Sequence, residues 1–458
     1  LPELRRWFIL SVRPLSPDGG NMTPTIAREK IDPARLKAIV VGSLGNLVEY
    51  YDFYVYAAFS LYFAPSFFPG TDPIAQMLAS AGVFALGFFM RPVGGWLFGY
   101  IGDHYGRRIS LMLSVLMMCG GSLVIALTPV YAQIGVWAPV LLVFARLVQG
   151  LSLGGEYGAS ATYVAEMGDS GRRGFYSSFL YVTLIGGQLG ALAVLLILQN
   201  LVLTPEQLRA FGWRIPFFIG AALALFALWM RRDLEETQAF QNAKAKGHET
   251  GLRALWSHRR EVLIVIGLTM GGTLAFYVYT IYMQKFLKLT VGLTDAQSTW
   301  VSAASLIFAL CLQPIYGALS DRIGRRPVLL AFGILGTFGT VPLMTALSHA
   351  KGPWEAFFFV ALGWIMTAPY TSINAVVKAE LFPAALRATG VGLPYALAVS
   401  FFGGTAEYIA LWFKQQGMES GFYYYASGVI FCSLLVYFFL PDTKKTSVLD
   451  REAMEVLE

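Results

Sequence analysis

Glu49, Asp52, Arg91, Arg146, Glu156, Lys285, Lys378 and Glu407 all interrupt long apolar stretches of the chain. A carboxylate in such a setting costs several kcal/mol unless it is paired, hydrated or protonated, so Glu49 and Asp52 suit reversible proton pickup; the alternative is a buried structural ion pair. At ~100° per residue Asn46, Glu49, Phe53 and Tyr56 share one helix face, with Asp52 flanking it. Arg146 and Glu156 would lie ~15 Å apart along a second helix, with Gln149 on the same face, which allows an Arg–carboxylate clamp between the two segments. Arg91 falls near the middle of its own apolar stretch. A guanidinium matches a carboxylate bidentately, and a dicarboxylate favours a second cation, for which Lys378, Arg146 and Lys285 are candidates. Snorkelling is the competing reading, Lys285 to the outer surface and Lys378 to the inner one. Tyr277, Tyr279, Tyr370, Asn374, Glu407 and Tyr408 offer hydroxyl, amide and carboxyl groups to the same pathway, whereas Tyr282 reads as an interface-belt aromatic.

Other chemistry is poorly served. Gly150-Leu-Ser152-Leu-Gly154 spells the hydrolase pattern G-x-S-x-G, but that chemistry needs a preceding strand and a His/Asp pair, so the glycines read as close helix packing, as do Gly95/Gly99 and Gly186/Gly190. There is no G-x-x-x-x-G-K-[ST] phosphate loop. Cys119, Cys311 and Cys432 stand apart in apolar segments, form no metal-ligand spacing and read as packing residues. No cofactor or metal is expected, and the chain reads as something other than an enzyme.

The elements that must position these groups follow from composition. Charged residues make up 14% of the chain, against roughly 25% in a soluble domain, and hydrophobic residues 56%. A bilayer cannot hydrogen-bond an exposed backbone, so ~20-residue apolar segments must cross it as helices. Twelve segments qualify, at 36–62, 74–101, 109–129, 136–165, 175–199, 211–230, 261–286, 296–319, 327–347, 354–379, 388–413 and 421–441. The net charge of +6 does not point to nucleic acid, because the basic residues alternate from loop to loop. With both termini on one side, that side holds 25 Lys/Arg and the other 5, which predicts cytoplasmic termini. The apolar run from Trp7 to Leu10 is too short for a signal-peptide core, so no targeting peptide is expected, and Met22 is an alternative start.

The chain also repeats itself. Gly99-x-x-x-Asp103-x-x-Gly106-Arg107-Arg108 and Gly317-x-x-x-Asp321-x-x-Gly324-Arg325-Arg326 share one pattern, and Glu166…Arg173 is matched by Glu380…Arg387. An acid, a glycine turn and arginines suit a latch between helix ends. Each half has six spans, so the repeats run parallel. The expected layout is a cytoplasmic segment at 1–35, a six-helix bundle at 36–230, a polar linker at 231–260, a second bundle at 261–441 and a cytoplasmic tail at 442–458.

The paired loops resemble the signature of the major facilitator superfamily, and Arg146-Leu-Val-Gln149-Gly150 resembles its R-x-x-Q-G motif. GNLVEYYDFYVY (45–56), FFMRPVGGWLFGYIGDHYGRR (88–108), QGLSLGGEYGASATYVAEM (149–167) and GWRIPFF (212–218) are similar to the metabolite:proton symporter family. YVTLIGGQLGAL (181–192), YMQKFL (282–287), VKAELFPAALRATGVGLPYA (377–396) and FGGTAEYIAL (402–411) are similar to its 2-oxoglutarate-transporting members. The resemblance implies an all-α membrane protein of twelve helices in two pseudo-symmetric bundles. It implies a symporter that moves a small anion with protons by alternating access, working as a monomer in the lipid bilayer of a bacterial inner membrane. The expected substrate is 2-oxoglutarate or a related dicarboxylate; citrate, shikimate and proline/betaine-type osmolytes are alternatives in the family, and a channel is a remoter one.

The expected substrate residues are Arg91, Arg146, Tyr277, Tyr370, Asn374 and Lys378, and the expected proton-coupling residues Glu49, Asp52, Arg146 and Glu156; for Arg146 the resemblance implies proton coupling or organisation of the site. The expected gate comprises Gly99, Asp103, Gly106 and Arg107 with Gly317, Asp321, Gly324, Arg325, Glu166, Arg173, Glu380 and Arg387, and the resemblance implies that Asp103, Gly106 and Arg107 stabilise the outward-open state. His104 stands where the family usually has Arg or Lys.

Overall fold

The computed structural model describes residues 33–105, 107–168, 171–231 and 252–450. Each of the twelve apolar segments falls on a long helix. These are α1 (Pro33–Phe67), α2 (Pro73–Tyr105), α3 (Arg107–Leu127), α4 (Trp137–Glu166, interrupted at Gly155), α5 (Arg173–Val202) and α6 (Ile215–Arg231). The second set is α7 (Arg259–Leu289), α8 (Asp295–Ile323), α9 (Arg325–Ser348), α10 (Pro353–Ala379), α11 (Leu386–Gln415) and α12 (Glu419–Phe439). Among the described residues, nine helices are both long and apolar enough to cross a membrane. Helix α1 falls short because Asn46, Glu49, Asp52 and its tyrosines dilute its hydropathy, and the apolar stretches at α3 and α6 are shorter, Met112–Leu127 and Gly212–Phe226.

Helices α1–α6 pack mainly on one another, α1 on α5, α2 on α4 and α3 on α4 and α6; helices α7–α12 do likewise, α8 on α10 and α9 and α7 on α12. The two sets meet where α5 lies on α8 and α10, and where α2 and α4 lie on α11. Large apolar side chains such as Trp96, Phe144, Trp229, Phe338 and Phe438 point outward, where a soluble protein would carry charge. Cys311 and Cys432 also face outward, so of the three cysteines Cys119 alone packs inside, which corrects the expectation for the other two.

Small residues set the tightest crossing. A Cβ on Gly150 would strike the Gly87 carbonyl, and one on Gly154 the Arg91 carbonyl, so backbone contact between α2 and α4 requires glycine at both positions. Ser152, the serine of G-x-S-x-G, donates to the Ser114 carbonyl at 2.7 Å and ties α4 to α3.

Helix ends follow local chemistry. Thr294 and Gln297 form a reciprocal capping box at the start of α8, and Gly324 ends that helix at φ +99°, a conformation open to glycine, before Arg325 begins α9. Arg214, in the G-W-R-I-P stretch, donates to the carbonyls of Ala126 at 2.6 Å and Thr128 at 2.9 Å and so satisfies the end of α3. Wide, π-helical turns interrupt α7 at Val278–Tyr282 and α11 at Val399–Gly403. Such turns free backbone carbonyls, and in α7 the Thr280 carbonyl accepts the Gln188 amide of α5.

Candidate functional site

Phe53 of α1 meets two guanidiniums. Arg91 of α2 lies 4.6 Å from its centroid and Arg146 of α4 4.2 Å, so one ring offers its π-electrons to two cations. Arg91 also lies 3.9 Å over Phe88, and Arg146 lies 4.6 Å over Tyr56. Both arginines are buried, and the Nε and Nη2 donors of each have no hydrogen-bond acceptor among the described residues.

The remaining donors of Arg146 lead to Asp52. Arg146 Nη1 donates to Gln149 Oε1 at 2.8 Å, and Gln149 Nε2 donates to Asp52 Oδ2 at 3.1 Å and Ser122 Oγ at 2.9 Å. The Ser122 hydroxyl contacts both Asp52 oxygens. Arg146 and Asp52 are therefore joined through an amide, in place of the direct clamp considered from the sequence. Asp52 also lies against Gly220 of α6, where a Cβ would collide with its carboxylate. Glu49 and Glu156 are buried as well, Glu156 where α4 resumes after Gly155.

A second cluster forms around Lys378 of α10. Helical side chains lean toward the helix N-terminus, so the Lys378 stem runs back one turn and inward, and the residue is 0% exposed. The inner-surface snorkelling reading is thereby corrected. Its Nζ donates to Asn374 Oδ1 at 2.9 Å and to the Tyr157 hydroxyl at 3.4 Å, and lies 4.1 Å over the Tyr395 ring. Tyr157 donates to Asn374 Oδ1 at 2.8 Å and stacks on Tyr395. Among the described residues no carboxylate pairs with Lys378. Tyr50, Tyr54, Tyr277 and Tyr395 all lie within electrostatic reach of Arg91. Tyr277 packs on Tyr54 and Phe88 beside Arg91. Tyr370 stands apart, its ring on Phe332 and its hydroxyl toward the Thr269 carbonyl.

Lys285 behaves differently. It too is 0% exposed, which corrects the outer-surface reading, but it pairs with Glu407 of α11 at 2.9 Å and donates to the Ala57 carbonyl of α1 at 2.7 Å. Tyr282 is also buried, against Phe286 and Phe422, so it is no interface-belt residue.

The end of the helices that bears the repeated motif is latched. Asp321 accepts the Gly174 and Phe175 amides at the start of α5, each at 2.8 Å, and Gly317 packs on Gly174. Arg325 pairs with Asp321 at 2.6 Å and Glu380 at 3.4 Å, Arg387 with Glu166 at 2.5 Å, and Arg173 with Asp450. Gly324 is held against Asp442, which accepts the Arg325 amide at 2.9 Å. Burial raises the Glu380 carboxyl above its ordinary range, while Arg325 and the Thr443 hydroxyl oppose that shift. The first motif copy, Gly99, Asp103, Gly106 and Arg107, lies outside the described residues apart from helical backbone of α2 and α3.

Tyr157, Tyr395, Ser122, Gly220 and Asp450 were not singled out from the sequence. Tyr157 adjoins Glu156, and Asn374 sits one turn from Lys378, so helical spacing could have flagged that pair. Nothing in a lone serine or glycine of an apolar helix announces that it faces Asp52.

The chain and its fold of long apolar helices are matched by known proteins. Residues 38–254 match the family described as Sugar (and other) transporter and residues 268–457 the Major Facilitator Superfamily. The solved proton:xylose symporter with bound 6-bromo-6-deoxy-D-glucose shares the fold, with a TM-score of 0.74 over 92% of this chain and 99% of its own, at 19% identity. The chain belongs to the major facilitator superfamily: it is an all-α, multi-pass secondary active transporter and not an enzyme. At the level of individual proteins, it is 52% identical over 402 residues to the alpha-ketoglutarate permease of Escherichia coli K12, covering 88% of this chain and 93% of that one. The citrate-proton symporter of Klebsiella pneumoniae is 34% identical, covering 88% and 91%, and the proline/betaine transporter of Salmonella typhimurium 33% identical, covering 85% and 80%.

Proposed function

We propose that this protein imports a small dicarboxylate, 2-oxoglutarate, together with protons, by alternating access. In this reading twelve spans form two six-helix bundles, 36–230 and 261–441, joined by the linker 231–260. The chain lies in a bacterial inner membrane, with both termini cytoplasmic and the monomer as the working unit. The observation that carries the substrate class is the pair of buried cations, Arg91 held over the Phe53 and Phe88 rings and Lys378 over the Tyr395 ring, neither with a carboxylate partner among the described residues. An uncompensated buried charge costs several kcal/mol, and a ligand carrying two carboxylates supplies acceptors to both. A zwitterionic osmolyte would answer only one of them. The 52% identity to a permease named for α-ketoglutarate, against 34% to a citrate symporter, favours 2-oxoglutarate over citrate.

Protons are assigned to Asp52, with Glu49 and Glu156 as the neighbouring carboxylates. Ser122 and Gln149 hold Asp52, and Arg146 reaches it through Gln149, so a change of charge on Asp52 is felt at the guanidinium beside Phe53. The first copy of the latch motif is proposed to close the cytoplasmic side together with the second.

Uptake of labelled 2-oxoglutarate into proteoliposomes under an imposed pH gradient, with a protonophore control and competing citrate, shikimate and proline, tests the whole reading. Saturable, protonophore-sensitive accumulation is expected; non-saturating flux would indicate a channel. Asp52→Asn is expected to abolish gradient-driven accumulation while substrate counterflow persists, and the proton assignment falls if accumulation survives in this variant and in Glu49→Gln.

A further inference from the structure

We infer that Tyr157 is a gating residue that couples occupancy of Lys378 to opening of the cytoplasmic end, an inference that rests on the reading of Lys378 as a carboxylate site. Helices α4 and α11 cross between the two helix sets, and their crossing is a ladder of three contacts. At its end Glu166 pairs with Arg387 at 2.5 Å. Further in, a Cβ on Gly158 would lie 2.6 Å from the Ala388 carbonyl and 2.8 Å from Gly392 Cα, so the two backbones touch. Innermost, Tyr157 and Tyr395 stack with centroids 3.4 Å apart and planes 10° from parallel. From position 157 to 166 is ~14 Å along a helix, so the stack lies more than two turns inside the latch, against the cluster around Lys378. A passage to the cytoplasm cannot form along this crossing until the rings separate.

The stack is tied to the cation. Tyr157 donates to Asn374 Oδ1, and Lys378 donates to that same oxygen and to the Tyr157 hydroxyl, so a three-membered, charge-assisted network joins α4 to α10. A carboxylate is a stronger acceptor for an ammonium than a phenol or an amide, and charge-assisted hydrogen bonds are roughly twice as strong as neutral ones. When a substrate carboxylate takes the Lys378 donors, Tyr157 keeps a single neutral bond to Asn374. The unloaded carrier is thus held shut by the ammonium, and loading loosens the gate.

The test follows the accessibility of the closed interface. Ser178 is fully buried, with its Cβ beside Gly317 at the meeting of α5 and α8, so a cysteine there reacts with a maleimide when that end opens. In full-length protein carrying Ser178→Cys, with Cys119, Cys311 and Cys432 replaced by serine or alanine, Tyr157→Phe keeps the ring and removes the hydroxyl. Substrate-free labelling is expected to rise about fivefold, the effect of losing one buried hydrogen bond, and 2-oxoglutarate is expected to accelerate labelling of the parent more than that of the variant. Should Tyr157→Phe misfold, Asn374→Val removes the same bond from the α10 side and is expected to give the same rise. Unchanged substrate-free labelling in a folded variant overturns the inference. That arm contains no solute, so its failure is distinguishable from failure of the 2-oxoglutarate reading, which the uptake assay judges.

Discussion

Lys285 and Lys378 are both fully buried lysines of the second helix set, and they have opposite surroundings. Lys285 ends on Glu407 and the Ala57 carbonyl, so its charge is neutralised within the protein and spent on joining α7, α11 and α1. Lys378 ends on an amide oxygen, a phenol and aromatic rings, which stabilise an ammonium without neutralising it. Buried ion pairs gain little net stability but lose a great deal when one partner is removed, whereas a cation held by neutral groups is poised to exchange them for an anion. The first lysine is a clasp at the end opposite the motif loops; the second is, in the function proposed above, the receptor for a substrate carboxylate.

The largest expected effect separates the two directly. Lys378→Gln should lower kcat/KM for 2-oxoglutarate uptake by about 100-fold in a protein that still folds, because a buried charge that meets its partner in the bound state is lost; near-normal uptake would remove the distinction between the lysines. Next, Lys285→Met leaves Glu407 buried and alone and should cost about 3–5 kcal/mol of stability, most of it recovered in Lys285→Met/Glu407→Leu. Thermal denaturation in detergent reads this cycle, and Lys378→Met should show no comparable loss.

Smaller effects concern the latch. Asp321→Asn weakens the acceptor for two amides and the Arg325 pairing, and should destabilise the closed latch by about 1–3 kcal/mol, measured as faster maleimide labelling of Ser178→Cys. Glu166→Gln should have the smallest effect, below about 1 kcal/mol and shrinking with salt, because the Glu166 side chain is 45% exposed where Arg387 meets it.

The repeat illustrates how far reading along a chain can go. Glu166…Arg173 and Glu380…Arg387 are visible as matched pairs, yet the folded protein crosses them: Glu166 meets Arg387, Arg173 meets Asp450, and Glu380 meets Arg325 and Thr443. Residues 442–450 fold back over the second motif copy, where Asp442 meets Gly324 and Arg325, Thr443 meets Glu380 and Asp450 meets Arg173. Likewise Glu49 and Asp52 look equivalent in the sequence, but only Asp52 has the Ser122 and Gln149 donors and the space beside Gly220.

Apolar length, the alternation of basic loops and the internal repeat dictated where helices form, because backbone satisfaction in lipid leaves one solution per segment and needs only local information. Which ions are buried, and what each meets, was decided by tertiary packing. A lysine on an apolar helix can turn outward, inward to a carboxylate or inward to tyrosines, and these outcomes differ in free energy through residues on other helices, 221 positions away for Lys378 and Tyr157 and 228 for Lys285 and Ala57. Tyr157, Tyr395 and Glu407 therefore give the two lysines their separate surroundings.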